Sequence, residues 1–480
     1  MWLSIVAGCF AGVVAAVTAF SYASAYLLNR RIARKYGSAR QCIQRSTARS
    51  WMWFAAFDAH AIVFALSFLL TVLCRTASWL STLQRLPPSG QTSPWFQKRI
   101  LVIVNPVGGT QRSRGLLASL VRPVLRAHQC VVTVLETTRA GHAAEYLQSA
   151  DLSQFDLLLM LSGDGLLNEA LNALVACEAR RSPELTQDPT SPAYHAALRR
   201  ALHVLPVALL PGGTSNGLVA SLFGPLADVV DVLQRVMQSE ARDADIMSVQ
   251  SPASAADSVA TDYSRTVSER MQKSGERPAI HVDMLCALYG IIGDNDDYAE
   301  RRFRCLPYIL RTTLSPLMAI AVCPSQGYGA TIRFKPAAAP AGSSPEFESR
   351  LPFSKLSGLA SWSEDPSWKV ISAAQWMSLV VLNNAHPASD VLMAPGAEPD
   401  DGALYLSAVR GPMSKLKLLY LFTLMGDGSH NARPECDYFR ISDIVVHPNS
   451  DASHMVISGE ILPVRSIAIR VQHKAAYFVY

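Results

Sequence analysis

Three aliphatic runs, Ile100–Val104, Leu157–Leu161 and Val204–Leu210, each break abruptly into glycine and then into a segment of helical character. Short, unalternating apolar runs of this kind predict strands buried on both faces. Between and after them the pattern predicts helices over Arg112–Ala127, Ala143–Ala150 and Asn168–Ala179, a further helix from Leu218, and a strand over Val131–Glu136. Ser182–Ala193 is polar and carries proline, so it is expected to be a surface insertion. Strand and helix in alternation imply a parallel sheet with its loops gathered at the carboxyl ends of the strands. After Asp243–Val249 the pattern changes. Ile280–Cys286, Thr331–Phe334, Met377–Leu382, Ala403–Val409, Ile441–His447, Met455–Ile457 and Ser466–Gln472 are β-rich, and their alternation predicts an antiparallel sandwich. The expected fold is thus an α/β domain over 98–245 followed by a β-rich domain over 246–480, with flexible inserts at 251–277 and 336–368.

The first 75 residues have a different pattern. Residues 2–28 contain no charge, which is long enough for a transmembrane helix. Asn29, Arg30 and Arg31 end the run, and Arg34, Lys35, Arg40, Arg45 and Arg49 follow. Positive charge after the run argues against a signal peptide and places the 29–50 segment on the cytosolic side. A second apolar run, Trp51–Cys74, holds Asp58 and His60. One span plus a membrane-associated helix is the expectation for 1–75, with a buried hydrophobic hairpin as the alternative. Residues 76–97, with Pro87, Pro88 and Pro94, form a linker. The expected protein is therefore membrane-anchored, with its folded part facing the cytosol.

Composition adds little to this picture. The net charge of +5 over 480 residues is modest, so nucleic acid is not an expected partner. Nine cysteines are scattered without a C-x-x-C pair, which argues against a zinc site and fits reduced thiols. No metal ligand set is assigned.

The candidate chemistry lies in three loops: Asn105-Pro106-Val107-Gly108-Gly109, Ser162-Gly163-Asp164-Gly165, and Gly212-Gly213-Thr214-Ser215-Asn216-Gly217. Glycine lets backbone approach a phosphate closely, and a helix N-terminus favours an anion. The middle loop adds a candidate proton acceptor, Asp164, although an aspartate there also suits capping of the helix at Leu166. The chain lacks G-x-x-x-x-G-K-[ST], H-R-D and D-F-G, and has no G-x-G-x-x-G at its first strand, so the common nucleotide folds are disfavoured. Gly213–Gly217 also matches G-x-S-x-G, the nucleophile elbow of α/β-hydrolases, with Asp390 or Asp401 and His430, His447 or His454 as triad partners for Ser215. That reading leaves the first two loops unexplained.

Asn105-Pro106 with Gly108-Gly109, Ser162 through Glu169, and Pro211 through Asn216 resemble the catalytic domain shared by diacylglycerol, ceramide and sphingosine kinases. Ala394-Pro395-Gly396, Asp400 through Leu404, and Ser458-Gly459-Glu460 resemble later motifs of that family, so the resemblance spans roughly 98–480. Tyr289 through Asp296, then Glu300 and Arg304, looks like the segment that marks the sphingosine kinases: an aromatic-glycine pair, an acidic stretch, then arginines. The resemblance implies transfer of a phosphoryl group from ATP, with Mg²⁺, to the primary hydroxyl of a sphingoid base. Ceramide and diacylglycerol are the alternative acceptors, and a lipid-binding pseudokinase is the non-enzymatic one. By resemblance, Asp164 accepts the hydroxyl proton, Ser162, Gly163, Gly165 and Asp296 contact the acceptor, and Asp296 takes its amine. The nucleotide would meet Asn105, Pro106, Val107, Thr137, Thr138, Arg139, Ala140, Gly141, Glu169, Gly213, Thr214, Ser215, Arg304, Arg311, Ser458, Gly459 and Glu460. Where the family carries Asp-Gly-Glu near its C-terminus, this chain has Ser458, which removes a carboxylate. Leu306–Ile320 and Leu416–Met425 are expected to line the pocket for the lipid tail, in a bilayer-borne substrate.

Overall fold

A computed structural model describes residues 93–109, 112–186, 188–251, 279–303, 306, 308–337, 360–362, 367–449, 455–457, 459–462 and 466–480. The two N-terminal apolar runs lie outside these residues. Among the described residues no helix is long and apolar enough to cross a membrane.

Strand β1 (Arg99–Val104) leads to a helix, α1, made of Ser113–Leu116, a π-turn Leu117–Val121 and Arg122–Ala127. Then come β2 (Val131–Glu136), α2 (His142–Ser149), β3 (Leu157–Ser162), α3 (Asp164–Ala179), α4 (Pro192–Leu202), β4 (Val207–Pro211), α5 (Gly217–Phe223) and α6 (Val229–Gln238). The four strands are parallel in the order β2-β1-β3-β4, with Val102 beside Val134 on one side and Leu159 on the other. All of β3, and β1 from Ile100 onward, are buried, as two covered faces require. The order reverses between β1 and β3, and the crevice beyond their carboxyl ends is where ligands bind in sheets of this type.

Two local expectations change. The helix expected from Asn168 begins at Asp164, directly after the strand, so Asp164 is its first residue rather than part of a free loop. The polar stretch expected as an insertion contains a short 3-10 turn, Pro183–Thr186, and its end opens α4. Ser191 caps α4 by accepting from Tyr194 N, and Pro192 occupies the first turn.

Strand β5 (Ala241–Ser251) begins the antiparallel region, followed by β6 (Ala279–Asp283), β7 (Cys286–Gly290), α7 (Ile291–Asp297), α8 (Tyr308–Val322), β8 (Tyr328–Pro336), β9 (Ala360–Trp362), β10 (Lys369–Leu382), β11 (Leu404–Arg410), α9 (Lys415–Thr423), β12 (Cys436–Pro448), β13 (Met455–Ile457), β14 (Glu460–Leu462) and β15 (Ile467–Val479). The expected strand Ile280–Cys286 is two strands, parted where Asp283 turns its carboxylate onto Leu285 N at 2.6 Å. The two layers of the sandwich are not separate sheets. β10 and β12 are long and irregular at Ile371/Ala374, Trp376/Ser378 and Ile441/Asp443, so β10 pairs with β8 through one half and with β7 and β11 through the other. Strands that change layer at such bulges make the corners of closed antiparallel packings. The core between the layers holds Tyr289, Tyr328, Phe334, Trp376, Leu406 and Phe439.

One strand joins the two regions. β15 pairs antiparallel with β5 along most of its length and meets β4 in parallel at Phe478 and Val207, so the described strands form one continuous sheet. Helix α3 adds a polar seam: Asn172 Oδ1 accepts from Val282 N at 3.0 Å and its Nδ2 donates to Val282 O at 2.8 Å, the bonds a neighbouring strand would make. The crevice therefore opens between two regions that share both a sheet and a helix.

Candidate active site

The three glycine loops meet backbone to backbone. Gly109 has φ +56°, and a Cβ there would lie 2.6 Å from the carbonyl oxygen of Gly212. A Cβ on Gly213 would lie 2.5 Å from Gly163 Cα. Real Cβ atoms do not approach so closely, so the junction of first, second and third loops requires residues without side chains. In the first loop, Asn105 Oδ1 accepts from Val107 N (3.1 Å) and Gly108 N (3.0 Å). In the third, Asn216 (φ 46°) grips Gly213 twice, accepting from its N and donating to its O. Thr214 is half-buried and Ser215 exposed, which leaves their hydroxyls accessible to a ligand.

Asp164 does not cap its own helix. Its Oδ2 accepts from Gly217 N at 2.9 Å and its Oδ1 from Leu218 N at 3.2 Å, so it caps α5, the helix that follows the third loop. Burial pushes its carboxyl above the usual value, and these two bonds offset part of that rise. A carboxylate has about four lone-pair directions, so both oxygens can still accept from a further hydroxyl. A small cavity beside it is lined by Leu167, Asn168, Leu218, Met284 and Leu285.

Glu169, one turn beyond Asp164 on α3, behaves alike. Its Oε2 accepts from Gly141 N at 3.1 Å and its Oε1 from Ala144 N at 3.0 Å. Thr137 is buried, with its N–H and hydroxyl on Val104 O, while Thr138, Arg139 and Ala140 are exposed. Thr138 N donates to His142 Nδ1, and Arg139 pairs with Glu145.

The acidic segment becomes α7. The hydroxyl of buried Tyr328 donates to Asp294 Oδ2, and Asp297 pairs with Arg301 at 3.0 Å. Asp296 belongs elsewhere. Burial, then Asp283, Asp296 and Asp164 in turn, push the thiol of buried Cys286 well above its ordinary range. Three carboxylates from α3, the β6–β7 corner and α7 thus act on one buried thiol. The C-terminal motif approaches the same place: β13 pairs Ile457 with Ala287, and the turn at Gly459 (φ +81°) follows beside the start of β7.

Not every expected residue is gathered there. Arg304 and Ser458 lie outside the described residues, as does the side chain of Glu460. Arg311 is in the first turn of α8. Helices α8 and α9 touch, as two walls of one pocket would, but their inner residues Ala319, Ile320, Leu418 and Leu421 pack into the core. Their outer residues Leu310, Leu314 and Leu317, and Leu416, Leu419 and Tyr420, are exposed. The hydrolase triad does not form among the described residues. His430 is buried with neither ring nitrogen hydrogen-bonded, His447 bonds Ser466, and His454 is not described.

Several contributors carry no motif. Asp283 shows in the sequence only as an acid inside an apolar run, and Cys286 as a lone cysteine. The 386–389 segment has no signal at all, yet it backs the third loop: Ser389 N donates to Ser215 O at 2.8 Å, and the carbonyls of His386 and Pro387 crowd Gly217.

The diacylglycerol kinase catalytic domain family matches residues 99–249. The chain is 25% identical to human sphingosine kinase 1 over 393 residues, covering 79% of this chain and 90% of that protein. It is also 25% identical to sphingosine kinase 1 of Arabidopsis thaliana over 371 residues, 74% of this chain, and spans 65% of that relative's length. A crystal structure of a Bacillus anthracis protein assigned as a diacylglycerol kinase has the same fold, with a TM-score of 0.50 at 15% identity over 80% of this chain and 97% of that one.

Proposed function

The chain belongs to the lipid kinases built on the diacylglycerol kinase catalytic domain, and we propose that it transfers the γ-phosphoryl group of ATP to the primary hydroxyl of a sphingoid base. The observation that carries the choice of acceptor is that Asp164 and Asp296, from different regions of the chain, both act on the buried thiol of Cys286. A sphingoid base bears its hydroxyl and its ammonium on adjacent carbons. Two carboxylates suit that head group, one for each function. Ceramide and diacylglycerol carry no ammonium, and a second carboxylate gains nothing from them.

Asp164 holds the acceptor hydroxyl in line with the γ-phosphorus and receives its proton as the new O–P bond forms. The bond from phosphorus to the bridging oxygen breaks, and ADP leaves. The transition state is loose, so positioning outweighs basicity, and a carboxyl raised above its usual value helps with the late proton. The first and third loops, through Asn105, Pro106, Val107, Gly213, Thr214 and Ser215, and the exposed 138–140 stretch take the nucleotide. Arg304, Arg311, Ser458 and Gly459 complete its contacts in this reading. Mg²⁺, when bound, would supply neutralisation of phosphate charge, and Glu460 is the carboxylate that would help hold it in this reading. Asp296 contacts the amine, and Ser162, Gly163 and Gly165 border the acceptor.

The substrate lives in a bilayer, and two features support access to it there. Residues 2–28 are uncharged over a membrane-spanning length, which supports an anchor with the catalytic region toward cytosolic ATP. Leu310, Leu314 and Leu317 recur at helical spacing on the outside of α8, next to the exposed leucines of α9. This reading divides the chain into an anchor (1–75), a linker (76–97), a catalytic domain (98–245) and a lipid-binding domain (246–480).

The test compares three acceptors. The full chain, in detergent micelles with ATP and Mg²⁺, is offered sphingosine, ceramide and diacylglycerol separately. Phosphate on sphingosine is expected. Phosphate on ceramide or diacylglycerol alone would sink the choice of acceptor, and none on any lipid would favour a binding protein.

A further inference from the structure

We infer that Glu169 serves phosphoryl transfer as a positioning residue, capping α2 from a neighbouring helix so as to hold the Thr137–Gly141 loop in shape, and does not itself meet a phosphate of the nucleotide.

Helix α2 cannot cap itself. Its N-cap residue is Gly141, in the left-handed region at φ 80° and without a side chain. First-turn N–H groups have no partners within a helix, so those of Gly141 and Ala144 need an outside acceptor. Glu169 provides both bonds, one to each carboxylate oxygen, from 28 and 25 residues away. Its charge also sits at the positive end of α2.

The same device occurs on the other side of α3. Asn216 precedes α5 but turns its carboxamide to Gly213, and Asp164 supplies the acceptors for Gly217 N and Leu218 N. Two carboxylates in the first two turns of one helix thus anchor the helices after both neighbouring loops.

This arrangement changes what the second loop can offer. The start of α2 is a natural seat for an anion, but a carboxylate already fills it. A phosphate oxygen brought to the same amides would meet the negative charge of Glu169. The loop is pinned at one end by Thr137 on Val104 and at the other by Gly141 on Glu169, and Thr138, Arg139 and Ala140 lie exposed between the pins. Those exposed residues are what remains for a ligand. Glu169 therefore acts through the loop, by limiting the shapes it samples before anything binds.

The experiment compares Glu169→Ala and Glu169→Gln with the parent in the full chain. Hydrogen–deuterium exchange over residues 137–149 is read first, with no nucleotide present. A positioning role predicts exchange there about tenfold faster in Glu169→Ala, with a smaller change in Glu169→Gln, which keeps one acceptor oxygen. ATP kinetics are read second: KM for ATP rises about tenfold while kcat stays within about threefold, because the chemical step is intact. Unchanged exchange without nucleotide, together with a raised KM, would mean direct contact and would overturn the inference. Unchanged values in both measurements would overturn it as well. If Glu169→Ala does not fold, Glu169→Gln carries the same two readings. Only the kinetic arm rests on the kinase reading, so failure of sphingosine phosphorylation by the parent would be distinct from failure of the exchange result.

Discussion

The two walls of the crevice are built on opposite principles. On the α/β side, loops from three strands touch through glycine backbone, and side chains such as Asn105, Asn216, Asp164 and Glu169 spend themselves on neighbouring N–H groups. On the β-rich side, Asp283 and Asp296 act on Cys286 and Tyr328 bonds Asp294, pairs from separate strands and helices that only packing brings about. A polyanion that is the same in every reaction can be met by fixed backbone. An acceptor that must be distinguished from other lipids is met by side chains, which can vary without disturbing the sheet.

The largest expected effect lies where the two walls share a residue. If Asp164 were a proton acceptor with no other task, Asp164→Asn would stop turnover and leave nucleotide binding largely intact. The bonds to Gly217 and Leu218 change the second half of that expectation. An amide presents at most one acceptor oxygen to two N–H donors, so turnover should fall by about 10³-fold or more while nucleotide affinity also drops, by about 1–3 kcal/mol. Nucleotide titration of the variant checks this, and unchanged affinity would show that the third loop holds itself.

Next in size is a contrast between two glycines of the backbone wall. Gly213→Ala forces a Cβ to 2.5 Å from Gly163 Cα and should cost about 1–3 kcal/mol with a large loss of activity. Gly165→Ala, within the same motif set but with nothing inside 4 Å, should be neutral to stabilising by up to about 1 kcal/mol. Thermal unfolding of the pair measures both.

For the side-chain wall, Asp296→Asn should raise KM for sphingosine by about 10- to 100-fold and leave KM for ATP unchanged. Equal effects on both substrates would move Asp296 to the nucleotide side.

A pH profile links the walls. The carboxyl of Asp164 is raised by burial, so its proton stays on to a higher pH than an ordinary aspartate's. The acid limb of kcat/KM should therefore lie at higher pH than an ordinary aspartate would place it. The sign for stability is opposite to that of a salt-bridged acid. With the folded-state value raised, this group's contribution is fully present below its unfolded value and is lost as pH rises through the folded one. The ionised form is thus held at some cost to the fold at neutral pH. The smallest effect expected is that of Tyr328→Phe, which frees Asp294 of one hydroxyl and should raise sphingosine KM a few-fold, about 1 kcal/mol, with little change in kcat.

Much of the α/β wall was legible because each of its demands is local. A buried parallel strand needs an aliphatic run, and a loop that must pass another backbone within contact distance needs glycine, so β1, β3 and the three loops appear in the chain as contiguous words. Tyr289 through Asp296 was legible for the same reason, as one short segment. Partners were not. Nothing in the order of residues says that Asp164 faces Gly217, that Glu169 faces Gly141, or that 386–389 backs the third loop. Whether Asp164 capped the helix at Leu166 or another helix depended on where α5 starts in space, 53 residues on.

The same division runs through the whole molecule. Composition and local pattern are enough to set the strands, the glycine junction and the identity of the acids, because backbone sterics and burial act on neighbours in the chain. The action of Asp164 and Asp296 on Cys286, the bending of β10 and β12 between layers and the shared strand β15 depend on residues from tens to hundreds of positions apart, such as Lys369 beside Phe334 and Phe478 beside Val207. Long-range packing selects among the many partners that short-range chemistry would allow, and it is there that an acid becomes an anchor, a base or an amine contact.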